Sequence, residues 1–185
     1  MAIIIGFDLE TTGLLEPDTH GENRIIELAA LLYDERGTLK NKIVRRFNPG
    51  RPIGAKATEV HGIVFEMVAM EPMFQDLAEK ITPILRAADL IVAHNGLGFD
   101  MPFYNKEIIS LGMAPLSKEK FFDTMIASPW ATFYGKSPNL GELCFALDVD
   151  YDPSKAHAAE YDVDCMMKCY FEGVRRGVYP QLATL

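Results

Sequence analysis

The sequence predicts an α/β fold, a mixed five-stranded β-sheet flanked by α-helices. Three strand-like runs come first and follow one another as a meander, and two further strand-like runs then alternate with amphipathic helical segments. A meander gives antiparallel pairs and strands separated by helices pair in parallel, so a mixed sheet is expected. With 185 residues, the chain is expected to form one domain over residues 1–185 with a substantial core.

The first three strands come from apolar runs in the first quarter of the chain. Residues 2–12 open with β-branched and aromatic side chains, which is typical of a buried central strand. Residues 24–33 form a second apolar run, and the acid- and glycine-containing turn at 34–37 connects it to a third run that ends at Phe47. The third run is polar, as edge strands often are. Its basic residues are Lys40, Lys42, Arg45 and Arg46.

The remaining elements follow from helical periodicity, from caps and from two more apolar runs. Helices are predicted at residues 55–61 (ended by Gly62), 73–88, 99–111, 139–147 and 158–176, and strands at 89–94 and 121–126. Asn139 and Glu142 have the spacing of a capping box. The side chains expected to face inward are Phe74, Leu77, Ile81, Ile84 and Leu85 on the second of these helices and Phe103, Ile108 and Leu111 on the third.

Composition excludes several classes of protein. The formal charge of −8 argues against a wide basic face that coats nucleic acid, although a local site could use metal ions as its positive charge. No segment is as long as a membrane span, and the first residues lack the features of a signal peptide, so a cytoplasmic protein without membrane contact is expected. Three cysteines cannot all pair, and Cys144, Cys165 and Cys169 complete no zinc pattern, so reduced core thiols are expected.

Two acids interrupt the first strand. Asp8 and Glu10 are two residues apart, so strand alternation places both carboxylates on one face of the sheet. Such neighbours repel each other, and a hard divalent cation such as Mg²⁺ or Mn²⁺ between them would account for the pair. The alternative is a strand that ends in a solvated acidic turn.

Two later acids and a histidine are further candidates for the same site. Asp100 begins a helix at the carboxyl end of a predicted strand, where α/β sheets carry their sites, although it could instead stabilise the helix N-terminus. Asp162 is expected on the inner face of the last helix, and His157, five residues earlier, belongs to the loop before it.

These residues belong to a series of motifs in a fixed order. The series is Asp8-Leu-Glu10-Thr-Thr-Gly-Leu14, Ile25-Ile-Glu27, Val60-His-Gly-Ile63, His94-Asn95 before Phe99-Asp100, and His157 before Asp162. It resembles the DnaQ-like 3′–5′ exonucleases, the DEDDh branch of the ribonuclease H-like superfamily, from about residue 3 to 177. One departure is the three residues 96–98 between Asn95 and the Phe-Asp pair, where the family usually has two. This departure bears on a substrate role for Asn95 more than on a metal role for Asp100.

The resemblance implies a ribonuclease H-like fold and a two-metal site. Asp8, Glu10, Asp100 and Asp162 match the four carboxylates that hold two divalent cations, Mg²⁺ or Mn²⁺, and His157 matches the general base that takes a proton from the attacking water. An imidazole titrates near neutral pH and suits that task. The expected products are nucleoside 5′-monophosphates.

The resemblance also implies substrate contacts. The backbone of Thr11 and Thr12 matches the part that meets the terminal 3′-hydroxyl, Leu14 and Phe103 match residues that wedge against the last bases, and His61 lies in a motif near the terminal nucleotide. Phe103 could equally be a core residue. Other charged residues are expected to lie outside the site. A structural ion pair is expected for Glu27 and a structural role for Asp123, and Asp164 is expected to face away from the site on the last helix. The basic side chains are expected to form a solvated edge. These side chains are Arg45, Arg46, Arg51 and Lys56, which could otherwise follow phosphates.

Three functions are compatible with these observations. The first is a 3′–5′ exodeoxyribonuclease acting on single-stranded or frayed DNA ends, the second an exoribonuclease or oligoribonuclease with the same site, and the third a non-catalytic nucleic-acid-binding module. The complete set of four acids and a histidine argues against the third. A polymerase partner is possible, but the short segment after the last helix favours a free-standing enzyme or a partner that binds the domain surface.

Overall fold

The computed structural model describes residues 2–182 and contains the predicted mixed sheet. Its strands are β1 (Ile4–Thr11), β2 (Ile25–Tyr33), β3 (Leu39–Arg46), β4 (Leu90–Ala93) and β5 (Phe121–Asp123). They lie in the order β3-β2-β1-β4-β5. The two hairpin pairs, β1–β2 and β2–β3, are antiparallel, and the pairs β1–β4 and β4–β5 are parallel. The α/β class, the five strands and the edge position of β3 are confirmed.

Six α-helices accompany the sheet in the described residues. They are α1 (Ala55–His61), α2 (Phe65–Val68), α3 (Phe74–Ala87), α4 (Asp100–Ser110), α5 (Leu140–Ala146) and α6 (Ala159–Arg175). Gly62 ends α1 in the left-handed conformation that suits glycine. The predicted capping box opens α5, since Asn139 Oδ1 accepts from the Glu142 N–H at 2.8 Å and the Glu142 carboxylate accepts from the Asn139 N–H at 2.9 Å.

The structure corrects four details of the predicted elements. The four-residue helix α2 was not predicted. β5 has three residues rather than six, because the Asp123 carboxylate accepts the N–H groups of Met125 and Ile126 and turns the chain. Ile84 and Leu111 are 36% and 38% exposed rather than inward. For Leu111 the reason is that α4 ends at the preceding residue.

Each face of the sheet has its own core. Ile5, Phe7 and Leu9 of β1 pack with α3 and α4 on one face, and Ile4 packs with α6 on the other. Gly6 also faces α6, and a Cβ there would come within 2.6 Å of Val163 and Met167 side-chain atoms, so the helix lies directly on the strand. Alternation then directs Asp8 and Glu10 toward the α6 face, beyond Gly6.

All three cysteines are free and buried, as predicted, with the Cys144 and Cys169 Sγ atoms 3.5 Å apart. None of the helices within residues 2–182 combines the length and the apolar composition that a membrane crossing requires.

Candidate active site

The site lies where β1 extends past its parallel neighbour. The pairing of β1 with β4 ends at Gly6, whereas β1 continues to Thr11. The backbone of β1 therefore needs another partner on that side, and the Leu9 N–H donates to Asp100 Oδ1 at 2.9 Å. Asp100, the first residue of α4, is only 3% exposed. An early end of one strand thus brings the first turn of α4 against the strand that carries Asp8 and Glu10.

Asp8 and Glu10 lie in a concentration of negative charge. Burial raises the pKa of Asp8 well above its ordinary value, and the charges of Asp100, Glu10, Asp162 and Glu27 raise it further. Burial, followed by the charges of Glu27, Asp162 and Asp100, raises the pKa of Glu10 to about 8. Burial likewise raises the pKa of Asp100 to about 7, against the lowering effect of the Leu9 N–H bond. The acids therefore repel one another, as expected of carboxylates gathered without a cation.

Asp162 completes the group from the first turn of α6. Its Oδ2 accepts the backbone N–H of His157 at 2.7 Å. Its Oδ1 is buried and has no hydrogen-bond partner among the described residues. Burial raises the pKa of this carboxyl as well. An unpaired buried oxygen costs about 1–3 kcal/mol, so this atom is a candidate ligand for a cation.

His157 occupies the loop before α6, as predicted. Its backbone has φ of 63°, in the left-handed region that non-glycine residues rarely adopt, and its side chain is exposed. Such strained positions cluster at functional sites. The bond from its N–H to Asp162 ties this strained residue to the acid group.

A cleft of about 530 Å³ opens onto these residues. Its lining includes Asp8, Asp162, His157 and Asn95, together with His94 and Tyr151. Glu10 and Asp100 are outside the lining, within electrostatic range of Asp8. A larger depression of about 1090 Å³ lies beside the C-terminal part of α6 and contains none of the predicted site residues. We therefore take the smaller cleft as the candidate active site.

The donor set fits hard divalent cations. Four carboxylates, an unpaired buried oxygen and mutual repulsion are the features that a divalent ion with oxygen ligands would satisfy. Within residues 2–182, no three acidic, histidine or cysteine side chains are already close enough to enclose an ion. The Asp8, Glu10, Asp100 and Asp162 side chains would therefore have to turn toward a cation as it binds.

The predicted substrate contacts have different environments. Thr11 and Thr12 are buried, and the Thr11 carbonyl accepts from His61 Nε2 at 3.2 Å. Because His61 Nδ1 accepts from the Ile63 N–H at 3.0 Å, the ring is neutral with its proton on Nε2. Burial also lowers the pKa of His61. Leu14, two residues after Thr12, is 70% exposed.

Phe103 corrects the prediction of a base wedge. It is completely buried in the core beside α3, and its ring lies 5.6 Å from that of Phe99. A side chain without solvent exposure does not meet a substrate, so the core alternative is the one that the structure supports.

Asp123 organises the loop that carries Asn95. Its Oδ1 accepts from the Asn95 N–H at 3.0 Å, and its Oδ2 accepts from the Leu97 N–H at 3.0 Å. The structural interpretation of Asp123 is therefore supported. Asn95 is exposed on the cleft with φ of 65°, so the longer 96–98 turn still presents it to the cleft.

The remaining charged residues are mostly structural. Glu27 is buried and pairs with Arg46 at 2.6 Å, as predicted, and Asp164 pairs with Lys168. Arg51 is not a solvated side chain, because it is 9% exposed and binds both Asp18 oxygens at 2.5 and 2.6 Å. His94 and Tyr151 line the cleft but were not predicted as site residues. The His94-Asn95 motif could have indicated His94, whereas Tyr151 has no local signal.

Comparisons with known proteins agree with this geometry. A family model described as an exonuclease matches residues 5–170. The chain is 31% identical over 166 residues to a PolC-type DNA polymerase III of Ureaplasma parvum, covering 87% of this chain and 11% of the relative. It is 30% identical over 168 residues to the DNA polymerase III subunit epsilon of Pasteurella multocida, covering 90% and 66%. The chain thus spans less than two thirds of either relative.

Two solved structures share the fold. The zinc-bound complex of E. coli exonuclease I with single-stranded DNA superimposes with a TM-score of 0.81 at 18% identity, covering 100% of this chain and 42% of that one. Exonuclease X with 5′-overhanging duplex DNA gives a TM-score of 0.70 at 22% identity and covers 98% of both chains.

Proposed function

The chain belongs to the DnaQ-like 3′–5′ exonucleases of the ribonuclease H-like superfamily, and on this basis we propose that it is a divalent-metal-dependent 3′–5′ exonuclease. It releases nucleoside 5′-monophosphates from single-stranded or frayed DNA 3′ ends. The nucleic acid in the exonuclease I and exonuclease X structures supports this substrate class.

The unpaired Oδ1 of Asp162 is the observation that carries the proposal. It is buried beside a cluster of acids whose pKa values are raised by burial and by one another. If these acids had a purely structural role, two free-energy costs of folding would remain uncompensated. One is the unsatisfied oxygen of Asp162, and the other is the repulsion among the carboxylates. A site that receives cations and a phosphodiester accounts for both.

Each residue of the cluster has a proposed role. Asp8, Glu10, Asp100 and Asp162 would hold two Mg²⁺ or Mn²⁺ ions. When bound, such ions activate a water molecule and offset the negative charge that develops on the departing 3′ oxygen. The imidazole of His157 takes the proton of the attacking water. The bond from the His157 N–H to Asp162 keeps that side chain at the cleft wall.

The residues around the cluster position the 3′ end. The backbone after Glu10 at Thr11 and Thr12 receives the terminal 3′-hydroxyl, and neutral His61 holds that backbone through the Thr11 carbonyl. Leu14 is exposed and packs against the terminal base, and Asn95, which lines the cleft, contacts the terminal nucleotide.

End-labelled DNA and RNA oligonucleotides of matched sequence test the proposal. With Mg²⁺ or Mn²⁺, we expect shortening only from 3′ ends, with DNA cut faster than RNA, and we expect EDTA to abolish the reaction. Full activity in chelator, or cleavage of closed circular single strands, would contradict an exonuclease of this mechanism. Faster cutting of RNA would leave the proposed mechanism in place and would identify RNA, not DNA, as the preferred substrate.

A further inference from the structure

Two aromatic side chains outside the acid cluster are almost completely solvent-exposed. Phe133 is 93% and Tyr134 is 91% exposed, and their rings meet edge to face with centroids 4.9 Å apart. Aromatic side chains of this size are usually largely buried, and exposed ones side by side often mark a binding surface. They lie near the middle of residues 126–138, a segment that we call the 126–138 loop.

The 126–138 loop begins and ends at the candidate active site. Met125 before it and Asn139 after it both line the cleft. The returning limb is fixed to the cleft wall, since His94 Nε2 donates to the Pro138 carbonyl at 3.1 Å. The aromatic pair is therefore carried on a loop rooted in the wall of the site.

Contacts within the loop also limit how far the aromatic pair can move. Thr132 Oγ1 donates to the Lys136 carbonyl at 2.6 Å, which closes a turn around the two aromatic residues. Lys136 Nζ binds the Glu142 carboxylate at 2.7 Å, in the first turn of α5. Gly141, the neighbour of Glu142, lines the cleft, so the turn is tied to the rim of the site.

This region carries fewer acidic residues than most of the chain, so it suits contact with a polyanion. Residues 124–141 contain no Asp or Glu, although the chain has 26 of them and a net charge of −8. A strand that leaves the cleft along this loop avoids the repulsion that an acidic surface would give. Proteins that bind single strands commonly stack the bases on exposed aromatic rings that are not flanked by acids.

We propose that Phe133 and Tyr134 form a stacking platform for bases of the single strand upstream of the 3′-terminal nucleotide. This inference rests on the proposed exonuclease function, and it adds a preference for longer single strands over dinucleotides. Stacking does not read sequence, because every base has a π face. The platform therefore raises the affinity for longer strands without selecting a particular base.

A length series measures this directly. We expect kcat/KM of the parent to rise from dinucleotides to DNA strands of about eight nucleotides. In Phe133→Ala/Tyr134→Ala the value on long strands should fall about 5- to 150-fold, the range for loss of one stacked base. Activity on dinucleotides, which do not reach the platform, should remain within about twofold of the parent.

Control variants separate ring stacking from general apolar contact. Phe133→Leu/Tyr134→Leu keeps apolar surface without rings and should lose the length effect, whereas Phe133→Tyr/Tyr134→Phe should keep it. Phe145→Ala, which removes a similarly exposed aromatic (87%) from α5, should behave as the parent.

The outcomes also distinguish this inference from the function on which it rests. A parent that cuts no strand of any length overturns both. A parent that cuts all lengths while the alanine pair changes nothing overturns the platform alone. An equal loss in Phe145→Ala also overturns it. So does full retention of the length effect by the leucine pair, which would show that general apolar contact with the strand, and not ring stacking, produces it.

Discussion

Among single residues, Asp162 has the most informative environment, because its two oxygens differ. One accepts the N–H of strained His157, and the other is buried without a partner in the described residues. In the proposed mechanism, the same carboxylate positions the general base and supplies a ligand atom to a cation. Metal ligation and proton transfer would then be connected at this residue, yet they would depend on different side chains and could be separated by mutation.

Asp8→Ala and His157→Ala should fail in different ways. Asp8 is proposed as a ligand of the cations, so its removal should abolish both metal binding, measured by titration calorimetry, and activity. His157 is proposed to contact only the attacking water. His157→Ala should therefore keep the fold and the metals while kcat falls about 10²–10⁴-fold, as for loss of a general base.

Asp164→Ala is the matched control for these variants. Asp164 lies two residues after Asp162 on α6 and pairs with Lys168 away from the cluster. We expect near-parental activity from it. Near-parental kcat in His157→Ala would rule out the base, and a loss traced to failed metal binding would make His157 a ligand or a structural support.

At the level of elements, the close contact of α6 with β1 sets the distance between the acids of the two segments. Gly6→Ala would place a Cβ 2.5 Å from Met167 Cγ and 2.6 Å from Val163 Cγ1. The helix would have to shift, at a cost of about 1–3 kcal/mol for overpacking, and Asp162 would shift with it. We expect lower stability in urea denaturation and reduced kcat/KM.

The Gly6→Ala/Met167→Ala double variant is the control for this effect. Removal of the Met167 side chain takes away one of the two close contacts of the new methyl group and leaves the contact with Val163 Cγ1, so the double variant should lose less stability than the sum of the two single variants. Strict additivity would show that the contact with Met167 is not the cause.

Asp123 should position the Asn95 loop. Asp123→Asn replaces one acceptor oxygen with an amide donor, which faces the N–H of either Asn95 or Leu97. We expect a loss of about 1–3 kcal/mol in unfolding free energy and a higher KM for oligonucleotides, with the metal affinity preserved. Unchanged KM would leave Asp123 with a purely structural role.

These elements show which parts of the site can be read from sequence. Asp8 and Glu10 were predictable because strand alternation is local. The contact of Asp100 with the Leu9 N–H was not, because it depends on β4 ending early. The choice between core and substrate for Phe103 was also undecidable, because the periodicity of a helix does not say what covers its apolar face. Burial of Arg51 depends on Asp18, a partner 33 positions away.

For the molecule as a whole, the acid cluster links stability to pH and to metal. Raised pKa values mean that the folded protein binds more protons than the unfolded chain between the ordinary carboxyl pKa and the raised values, about 7 for Asp100 and about 8 for Glu10. We therefore expect the stability of the metal-free protein to fall as pH rises through that window. The proposed divalent cations would bind the deprotonated acids, so the stabilisation that they provide should increase in the same direction.

The window between pH 6.5 and 8 tests this linkage, since it lies above the ordinary pKa of histidine and below that of cysteine. In EDTA, we expect the unfolding free energy to fall by at least about 1 kcal/mol across it, which is about 2–4 °C in Tm for a chain of this size. With Mg²⁺ or Mn²⁺ in excess, the fall should be reduced or reversed. Glu10→Gln removes the group whose pKa is about 8, so it should flatten the profile in EDTA, whereas Asp164→Asn should leave it unchanged. Thermal melts at several pH values measure all four cases. A metal-free stability that rises with pH would show that these carboxylates do not repel one another in the folded protein. A stabilisation by metal that does not depend on pH would show that they are not the ligands of the cations.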